Sequence, residues 1–280
     1  MKNIKYYAYP STTREAVALL ANKKMKALAL AGGTLVAKTL PDTVETYLDL
    51  KGLPIKSIKL GAGSLVIGAG ATFDEIDRDK LCRSWAGGVI SAAAAKCSSQ
   101  LIRNMATIGG NIARPHSFNI FPVVLLGLDA RVRLQNQAGS KVVDFKDLYS
   151  PALKMRPGVD CLITEIIIPG KTRKWRCEFI KLAKTDSSWE SYITLFLAAG
   201  WSEATQFNKN RKKGRNLAQV RIAVGALGPK PFRATAAEQA ALAGDPAAYM
   251  AFAAELEAAK AGEYRVSAAS SLLERFLQTI

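Results

Sequence analysis

Residues 101–113 (LIRNMATIGGNIA) decide how this sequence is interpreted, because two adjacent glycines interrupt a largely apolar region. Gly109 and Gly110 free the backbone to turn tightly and to approach another group closely. Thr107 and Asn111 place short hydrogen-bonding side chains on either side of the pair. Two interpretations follow: a tight turn between two core elements, or a backbone cradle for an anionic ligand.

A second glycine pair lies earlier in the chain, at the end of a short apolar segment. Residues 27–31 alternate alanine and leucine, which predicts a short buried strand, and they run directly into Gly32, Gly33 and Thr34. The uncrowded amides of this junction, through Leu35, are expected to point into one concavity, as in nests that bind phosphate. The Rossmann spacing G-x-G-x-x-G is absent, so an ordinary strand turn remains an alternative.

The totals of the sequence indicate a folded protein. Its 280 residues are 49% hydrophobic and 22% charged, which is not the composition of a disordered chain. The first six residues (MKNIKY) contain no apolar signal core. No apolar run approaches the ~18–20 residues that a membrane span requires. We therefore expect a cytoplasmic location and no membrane span.

The cysteines and the single histidine argue against a metal centre in this chain. Cys82, Cys97, Cys161 and Cys177 form no C-x-x-C pair, and His116 is the only histidine. Structural zinc sites and iron–sulfur clusters favour close thiolate pairs. We therefore expect free, buried thiols in a reducing compartment.

The net charge of +16 predicts an anionic partner or ligand. The densest basic run, at residues 209–215 (KNRKKGR), contains no aromatic residue and thus lacks the stacking platform of single-strand binders. We interpret this run as a solvated hairpin tip and expect no nucleic-acid partner. A basic nucleic-acid-binding protein remains the alternative.

Hydrophobic patterning predicts an α+β protein in three parts. Residues 1–55 and 56–170 mix short strands and helices, with helix-capping signals at Thr12 and Thr72. Residues 171–280 contain strands followed by helices, which favours a sheet with helices on one face. The predicted elements of this last part are strands at 175–184, 189–201 and 217–227, and helices at 234–243, 246–259 and 267–280.

Taken together, the two glycine loops resemble those of the FAD-binding medium subunit of molybdenum hydroxylases. That family includes the flavoproteins of carbon monoxide dehydrogenase, bacterial xanthine dehydrogenases and hydroxybenzoyl-CoA reductases. The resemblance covers nearly the whole chain and includes residues 164–166 (TEI), 225–229 (GALGP) with Arg233, and 263–265 (EYR). It implies FAD as cofactor and a vanillyl-alcohol-oxidase-type FAD-binding domain of two small α/β subdomains. A C-terminal three-stranded antiparallel sheet with helices would follow.

The resemblance also implies which residues hold FAD. Both glycine loops would give backbone amides to the diphosphate, Cys97 would lie beside the cofactor, and Ile163 would contact the flavin through its backbone. Lys181 would lie near the isoalloxazine, where a positive charge stabilises reduced, anionic flavin; a surface lysine on a strand is the alternative. The full implied set is Ala29, Leu30, Ala31, Gly32, Gly33, Thr34, Leu35, Val36, Cys97, Thr107, Ile108, Gly109, Gly110, Asn111, Asn119, Ile120, Ile163 and Lys181.

One segment departs from the family pattern. Where the family has an aspartate that binds the cofactor, this chain has Ile120, which accepts no hydrogen bond, and Asn119 is the candidate substitute. Arg114 and His116 are unusual in the same segment. His116 is either a packed loop residue or a new contact to the cofactor or electron acceptor. A smaller departure places Leu35 where the family often has a polar residue.

We interpret the chain as the FAD-binding electron-transfer subunit of a molybdenum hydroxylase complex. An iron–sulfur small subunit would deliver electrons that a molybdopterin large subunit removes from the substrate. An external acceptor, with NAD, a quinone and a dye as candidates, would then receive them. The chain itself is expected to supply no catalytic side chain and no metal ligand. Besides nucleic-acid binding, a family member that has lost FAD and serves as an assembly scaffold remains an alternative.

Overall fold

Three β-sheets form the framework of the molecule, and each is built from a separate stretch of the sequence. A computed structural model describes residues 4–36, 43–185, 188–203 and 215–280. Its strands are β1 (Tyr6–Ala8), β2 (Ala27–Leu30), β3 (Thr46–Asp49), β4 (Ile58–Gly61), β5 (Ser64–Gly68), β6 (Arg131–Asn136), β7 (Gly139–Asp144), β8 (Leu162–Ile168), β9 (Arg176–Leu182), β10 (Ile193–Glu203), β11 (Arg215–Gly225) and β12 (Phe232–Arg233). The strand orders are β1-β3-β2, β4-β5-β8-β6-β7 and β12-β11-β10-β9.

Two of the helices begin at threonine caps where the sequence predicts them. Thr12 accepts a hydrogen bond from the Glu15 amide, and Thr72 forms a complete capping box with Glu75. Both predicted capping signals are thereby confirmed. The helices are α1 (Thr13–Ala21), α2 (Phe73–Arg78), α3 (Lys80–Ser84), α4 (Val89–Ala95), α5 (Gln100–Arg103), α6 (Ile108–Ala113), α7 (Phe121–Gly127), α8 (Thr235–Leu242), α9 (Ala248–Ala258) and α10 (Glu263–Leu277).

The first sheet positions the first glycine loop. Strands β1 and β2 both pair with β3 in parallel, and α1 covers the sheet through a core that includes Val17, Leu20 and Leu48. Beyond the end of β2, the Leu50 amide donates to the Leu30 carbonyl at 2.9 Å. Gly32 and Gly33 therefore follow the carboxyl end of a parallel strand, which is where open α/β sheets commonly bind ligands.

Strand β10 joins the C-terminal sheet to the rest of the molecule, because both of its faces are buried. Ile193, Leu195 and Leu197 pack into one core with residues of α8, α9 and α10. Phe196 and Ala198 point the other way, into the core that contains α4 and α7. Burial on both faces explains why residues 193–199 (ITLFLAA) are almost continuously apolar instead of alternating with polar residues.

The C-terminal part differs from the prediction at three places, one of which is the start of β10 at Ile193 instead of residue 189. The sheet has four strands instead of three, because β12 pairs with β11. Two residues directly after Pro231 carry no periodic pattern, so this strand is invisible in the sequence. The last helix begins at Glu263, not at residue 267, since the acidic Glu263 suits a helix N-terminus. Within the basic run, residues 209–214 lie outside the described residues, so its interpretation as a hairpin tip stays a prediction.

The packing does not stop at the predicted part boundaries. Leu162, from β8, packs into the core of the first sheet, and Phe179 and Ala223 pack into the core of the second. The divisions near residues 55 and 170 remain predictions. Among the described residues, no helix has both the length and the apolar character needed to cross a bilayer.

A substitution at Gly127 tests the packing of β10 against α7. A Cβ atom at Gly127 would lie 2.0 Å from Cδ1 of the buried Phe196 ring. We expect Gly127→Ala to destabilise the protein by about 1–3 kcal/mol through overpacking, measured as a lower thermal midpoint. Gly228→Ala is the control, because a Cβ there would meet nothing within 4 Å. Equal midpoints for the two variants would contradict this packing.

Candidate functional site

A cleft of about 510 Å³ lies where the two glycine loops meet β8 and the segment that follows α6. This volume falls within the range of pockets that take small ligands and cofactors. The cleft is lined by Gly32, Gly33, Gly109 and Gly110 from the two loops. Apolar side chains, among them Ile55, Phe73, Ile102, Leu162 and Ile163, form much of the remaining wall.

The two loops approach each other so closely that one residue must be glycine. A Cβ atom at Gly32 would lie 1.8 Å from the Met105 carbonyl oxygen and 2.5 Å from its carbon. Both are backbone atoms, so no side-chain rotation relieves the clash. Gly33 has a φ of +70°, which favours glycine for a separate reason. The first loop therefore closes directly onto the peptide that precedes the second.

Hydrogen bonds within the protein hold the second loop rigid. Ile108 N donates to Ala71 O at 3.0 Å, and Gly109 N donates to Ala69 O at 2.8 Å. Gly110 N donates to Thr107 Oγ1 at 3.1 Å. Gly109 also lies too near Ala69 to carry a side chain, since a Cβ there would be 2.7 Å from the Ala69 Cβ.

This bonding bears on the expectation that both loops offer amides to a diphosphate, which stays a prediction. The amides of Ile108, Gly109 and Gly110 are engaged as described, and Asn111 N donates to Thr107 O at 2.9 Å. In the first loop, by contrast, the amides of residues 32–34 donate to no protein acceptor in the described part of the chain. The available amide donors therefore lie on the first loop, and the second supplies a rigid wall.

Asn119 braces the loop after α6, and its substitution for the missing aspartate stays a prediction. Its Nδ2 donates to Asn111 O at 2.7 Å and to Arg114 O at 2.9 Å, which uses both amide hydrogens. Its Oδ1 accepts from Asn111 Nδ2 at 3.3 Å. The neighbouring Ile120 is 2% exposed and makes no side-chain cap at the start of α7. Hydrogen bonds among its own residues therefore hold this segment in place.

Lys181 and Cys97 lie on the wall formed by β9 and the end of α4. Lys181 Nζ donates to the backbone oxygen of Lys96 at 3.1 Å and to that of Ser188, so it links two segments that border the cleft. Burial raises the pKa of the Cys97 thiol to about 12, against the opposing charges of Lys181 and Arg103. Cys97 is therefore a neutral thiol at physiological pH and is not poised as a nucleophile.

The structure brings nearly all of the predicted site residues together. Leu30 and Ile108 are the exceptions: Leu30 belongs to β2, and Ile108 is fully buried in the core. The predicted residues that line the cleft are Ala29, Ala31, Gly32, Gly33, Thr34, Leu35, Val36, Cys97, Thr107, Gly109, Gly110, Asn111, Asn119, Ile120, Ile163 and Lys181. Their contacts with the cofactor remain predictions.

The sequence interpretation missed an aromatic group at the cleft. His116 and Phe118 stack with ring centroids 3.6 Å apart, and Phe118 meets Trp189 edge-on at 4.9 Å. All three residues line the cleft. Because Trp189 comes from the C-terminal part of the chain, only the folded structure reveals this group. It favours the interpretation of His116 as a packed loop residue, although its buried Nδ1 has no hydrogen-bond partner among the residues that the structure describes.

Comparison with known proteins identifies what this fold and cleft belong to. The FAD binding domain found in molybdopterin dehydrogenase matches residues 2–171. The nicotinate dehydrogenase FAD-subunit of Eubacterium barkeri is 30% identical over 195 residues, which span 67% of this chain and 65% of that protein. The xanthine dehydrogenase FAD-binding subunit of Escherichia coli O157:H7 is 27% identical over 241 residues, 84% of this chain and 78% of that one.

A solved structure agrees at the level of the fold. A chain of carbon monoxide dehydrogenase from Hydrogenophaga pseudoflava superposes with a TM-score of 0.80 at 22% identity, covering 98% of this chain and 96% of its own. The fold is therefore shared with a chain of that dehydrogenase. The chain belongs to the FAD-binding family of the molybdopterin dehydrogenases, also called molybdenum hydroxylases, an oxidoreductase family, and its cofactor is FAD. The predicted family and cofactor are confirmed.

Substitution of Gly32 tests the contact between the two loops. We expect Gly32→Ala to push the first loop away from Met105 O and to weaken FAD binding about tenfold or more, because the three available amides move with it. Flavin fluorescence titration of the apoprotein measures the change. Gly228→Ala again serves as the control, and a Gly32→Ala protein with normal FAD affinity would contradict the proposed cradle.

Proposed function

We propose that the cleft holds FAD with its diphosphate against the first loop, and that the chain is the electron-transferring flavin subunit of a larger dehydrogenase. The observation that carries the placement is the set of amides of residues 32–34, which donate to no acceptor in the described chain. Such converging amides stabilise phosphate oxygens without requiring lysine. Among the described lining residues there is no carboxylate to oppose an anion.

The apolar wall suits the flat rings of the cofactor. Phe73, Ile102 and Ile163 offer surface for burial of a planar ligand, and the backbone near Ile163 offers polar groups at a strand. When bound, FAD supplies the redox chemistry, so the protein needs to bind, orient and tune it. No group of three or more His, Cys, Asp or Glu side chains among the described residues is arranged to hold a metal.

The proposal extends to partner subunits. The relatives bear names such as FAD-subunit, FAD-binding subunit and medium chain. The four cysteines are free thiols with no thiolate pair, so an iron–sulfur cluster would reside on a separate small subunit. A molybdopterin large subunit would oxidise the substrate, and an external acceptor, with NAD among the candidates, would take the electrons. We propose that the assembly is cytoplasmic. We also propose that residues 1–55, 56–170 and 171–280 form three parts of this chain.

Titration of the apoprotein with FAD tests the cofactor site directly. Trp189 lines the cleft and is 56% exposed, whereas Trp85 and Trp175 are buried away from it. Bound flavin is therefore expected to quench emission from Trp189, and Trp189→Phe is expected to remove most of that quenching. The binding should also raise the thermal midpoint. A wild-type protein that gains neither quenching nor thermal stability from FAD would refute the site.

Purification from the native host tests the proposed role in a complex. We expect two further polypeptides to co-purify, one carrying iron–sulfur clusters and one carrying molybdopterin. In the assembled complex, addition of substrate should bleach the flavin absorbance. A flavin-loaded chain that purifies alone, and whose flavin no substrate reduces, would support a flavoprotein with a different role.

A redox measurement tests the role proposed for Lys181. Its positive charge near the flavin would favour the reduced, anionic form. We expect Lys181→Gln to lower the two-electron midpoint potential by about 30 mV or more, equivalent to about 1.4 kcal/mol. Lys181→Arg should stay near the wild-type potential, and Lys184→Gln, an exposed neighbour, is the matched control. An equal shift in Lys184→Gln would indicate a general effect of charge.

A further inference from the structure

The cleft carries positive charge beyond the lysine that the family resemblance implies at Lys181. Its described lining residues include two permanent cations, Arg114 and Lys181, and no aspartate or glutamate. The diphosphate is the anionic part of FAD, so a cation in the cleft favours that part of the ligand. The question is which of the two cations has hydrogen-bond donors left to bind it.

The ammonium group of Lys181 forms hydrogen bonds within the protein. Its Nζ donates to the carbonyl oxygens of Lys96 and Ser188, on two different segments of the cleft wall. An ammonium group has three donors, and at least two of them are used here. Lys181 can therefore contribute its charge at a distance, but it is poorly placed to bind phosphate oxygens directly.

Arg114 differs in that only its backbone is engaged. Its carbonyl oxygen accepts from Asn119 Nδ2 at 2.9 Å, and Asn119 is buried. Within the described residues, the Arg114 guanidinium forms no hydrogen bond and no ion pair. The main chain of Arg114 is thus held at the end of α6, while all five guanidinium donors remain available.

The second glycine loop needs such a side chain to contribute donors to an anion. Its amides from Ile108 to Asn111 all donate to protein acceptors. Arg114 follows the same short helix, α6, and lines the same cleft. A guanidinium group also presents a planar pair of donors that matches phosphate oxygens, which an amide wall without free N–H groups does not.

We propose that the guanidinium of Arg114 binds the diphosphate of FAD, together with the first-loop amides of residues 32–34. The inference rests on the placement of FAD proposed above. Arg114 lies in the segment that departs from the family pattern, so its role is particular to this chain. It would add a charge-assisted contact to the site beside the second loop, whose own amides already donate to protein acceptors.

The test compares FAD with two ligands that each contain only one part of it, either the diphosphate or the flavin. Full-length wild-type, Arg114→Gln and Arg114→Lys proteins are titrated with FAD, with ADP in competition, and with riboflavin, which lacks phosphate. Arg275→Gln is the matched control, because Arg275 is an exposed arginine on α10 that does not line the cleft. Each FAD titration is repeated over a range of salt concentrations, since screening weakens charge–charge contacts.

We expect Arg114→Gln to weaken FAD and ADP binding by roughly tenfold or more, as for loss of a charged hydrogen bond. Riboflavin affinity should not change, and the dependence of FAD affinity on salt should become shallower. Arg114→Lys should fall between the wild type and Arg114→Gln, because it keeps the charge but loses the planar pair of donors.

Two outcomes would overturn the inference while leaving the FAD site intact. One is an Arg114→Gln protein that binds FAD and ADP as tightly as the wild type does. The other is an equal loss of affinity for FAD, ADP and riboflavin, which would show that Arg114 acts through the structure of the loop. Failure of the wild-type protein to bind FAD would instead refute the proposed function.

Discussion

The contact between Gly32 and the carbonyl group of Met105 is the constraint on which the cleft depends. With no side chain at Gly32, a loop from the first sheet closes directly onto the peptide that leads into the second glycine loop. Any Cβ atom there would require the two backbones to separate. The cleft therefore exists as a narrow space between two loops that touch at one edge, with the first sheet on one side and β8 on the other.

The two glycine loops look alike in the sequence but differ in how their amides are hydrogen-bonded. The glycines of the second loop permit close packing against Ala69 and hydrogen bonding to Ala69 and Ala71. That loop is rigid because its amides are satisfied. The amides of residues 32–34 in the first loop have no acceptor among the described residues, and an unsatisfied amide in a partly buried cleft costs free energy until a ligand accepts from it. In the site that we propose, the second loop would thus provide shape and the first would provide amide donors to the ligand.

Local signals were enough to predict most elements of the fold, whereas their mutual contacts were not. The caps at Thr12 and Thr72 and the apolar run of β10 act within a few residues, so they can be recognised in one sequence. The hydrogen bonds that engage the second loop come from Ala69 and Ala71, and Trp189 reaches the cleft from the C-terminal part. Such long-range partners leave no pattern near the residues they affect.

The charge of the cleft also bears on the absence of an acidic residue at position 120. Ile120 is almost fully buried at the start of α7. Asn119 beside it donates both of its amide hydrogens to carbonyl oxygens of the loop. A carboxylate here would stand in a cleft whose described lining has two cations and no other acid. It would partly neutralise the charge that attracts a diphosphate. In the binding mode that we propose, Ile120 therefore adds no negative charge to the cleft that would hold the diphosphate.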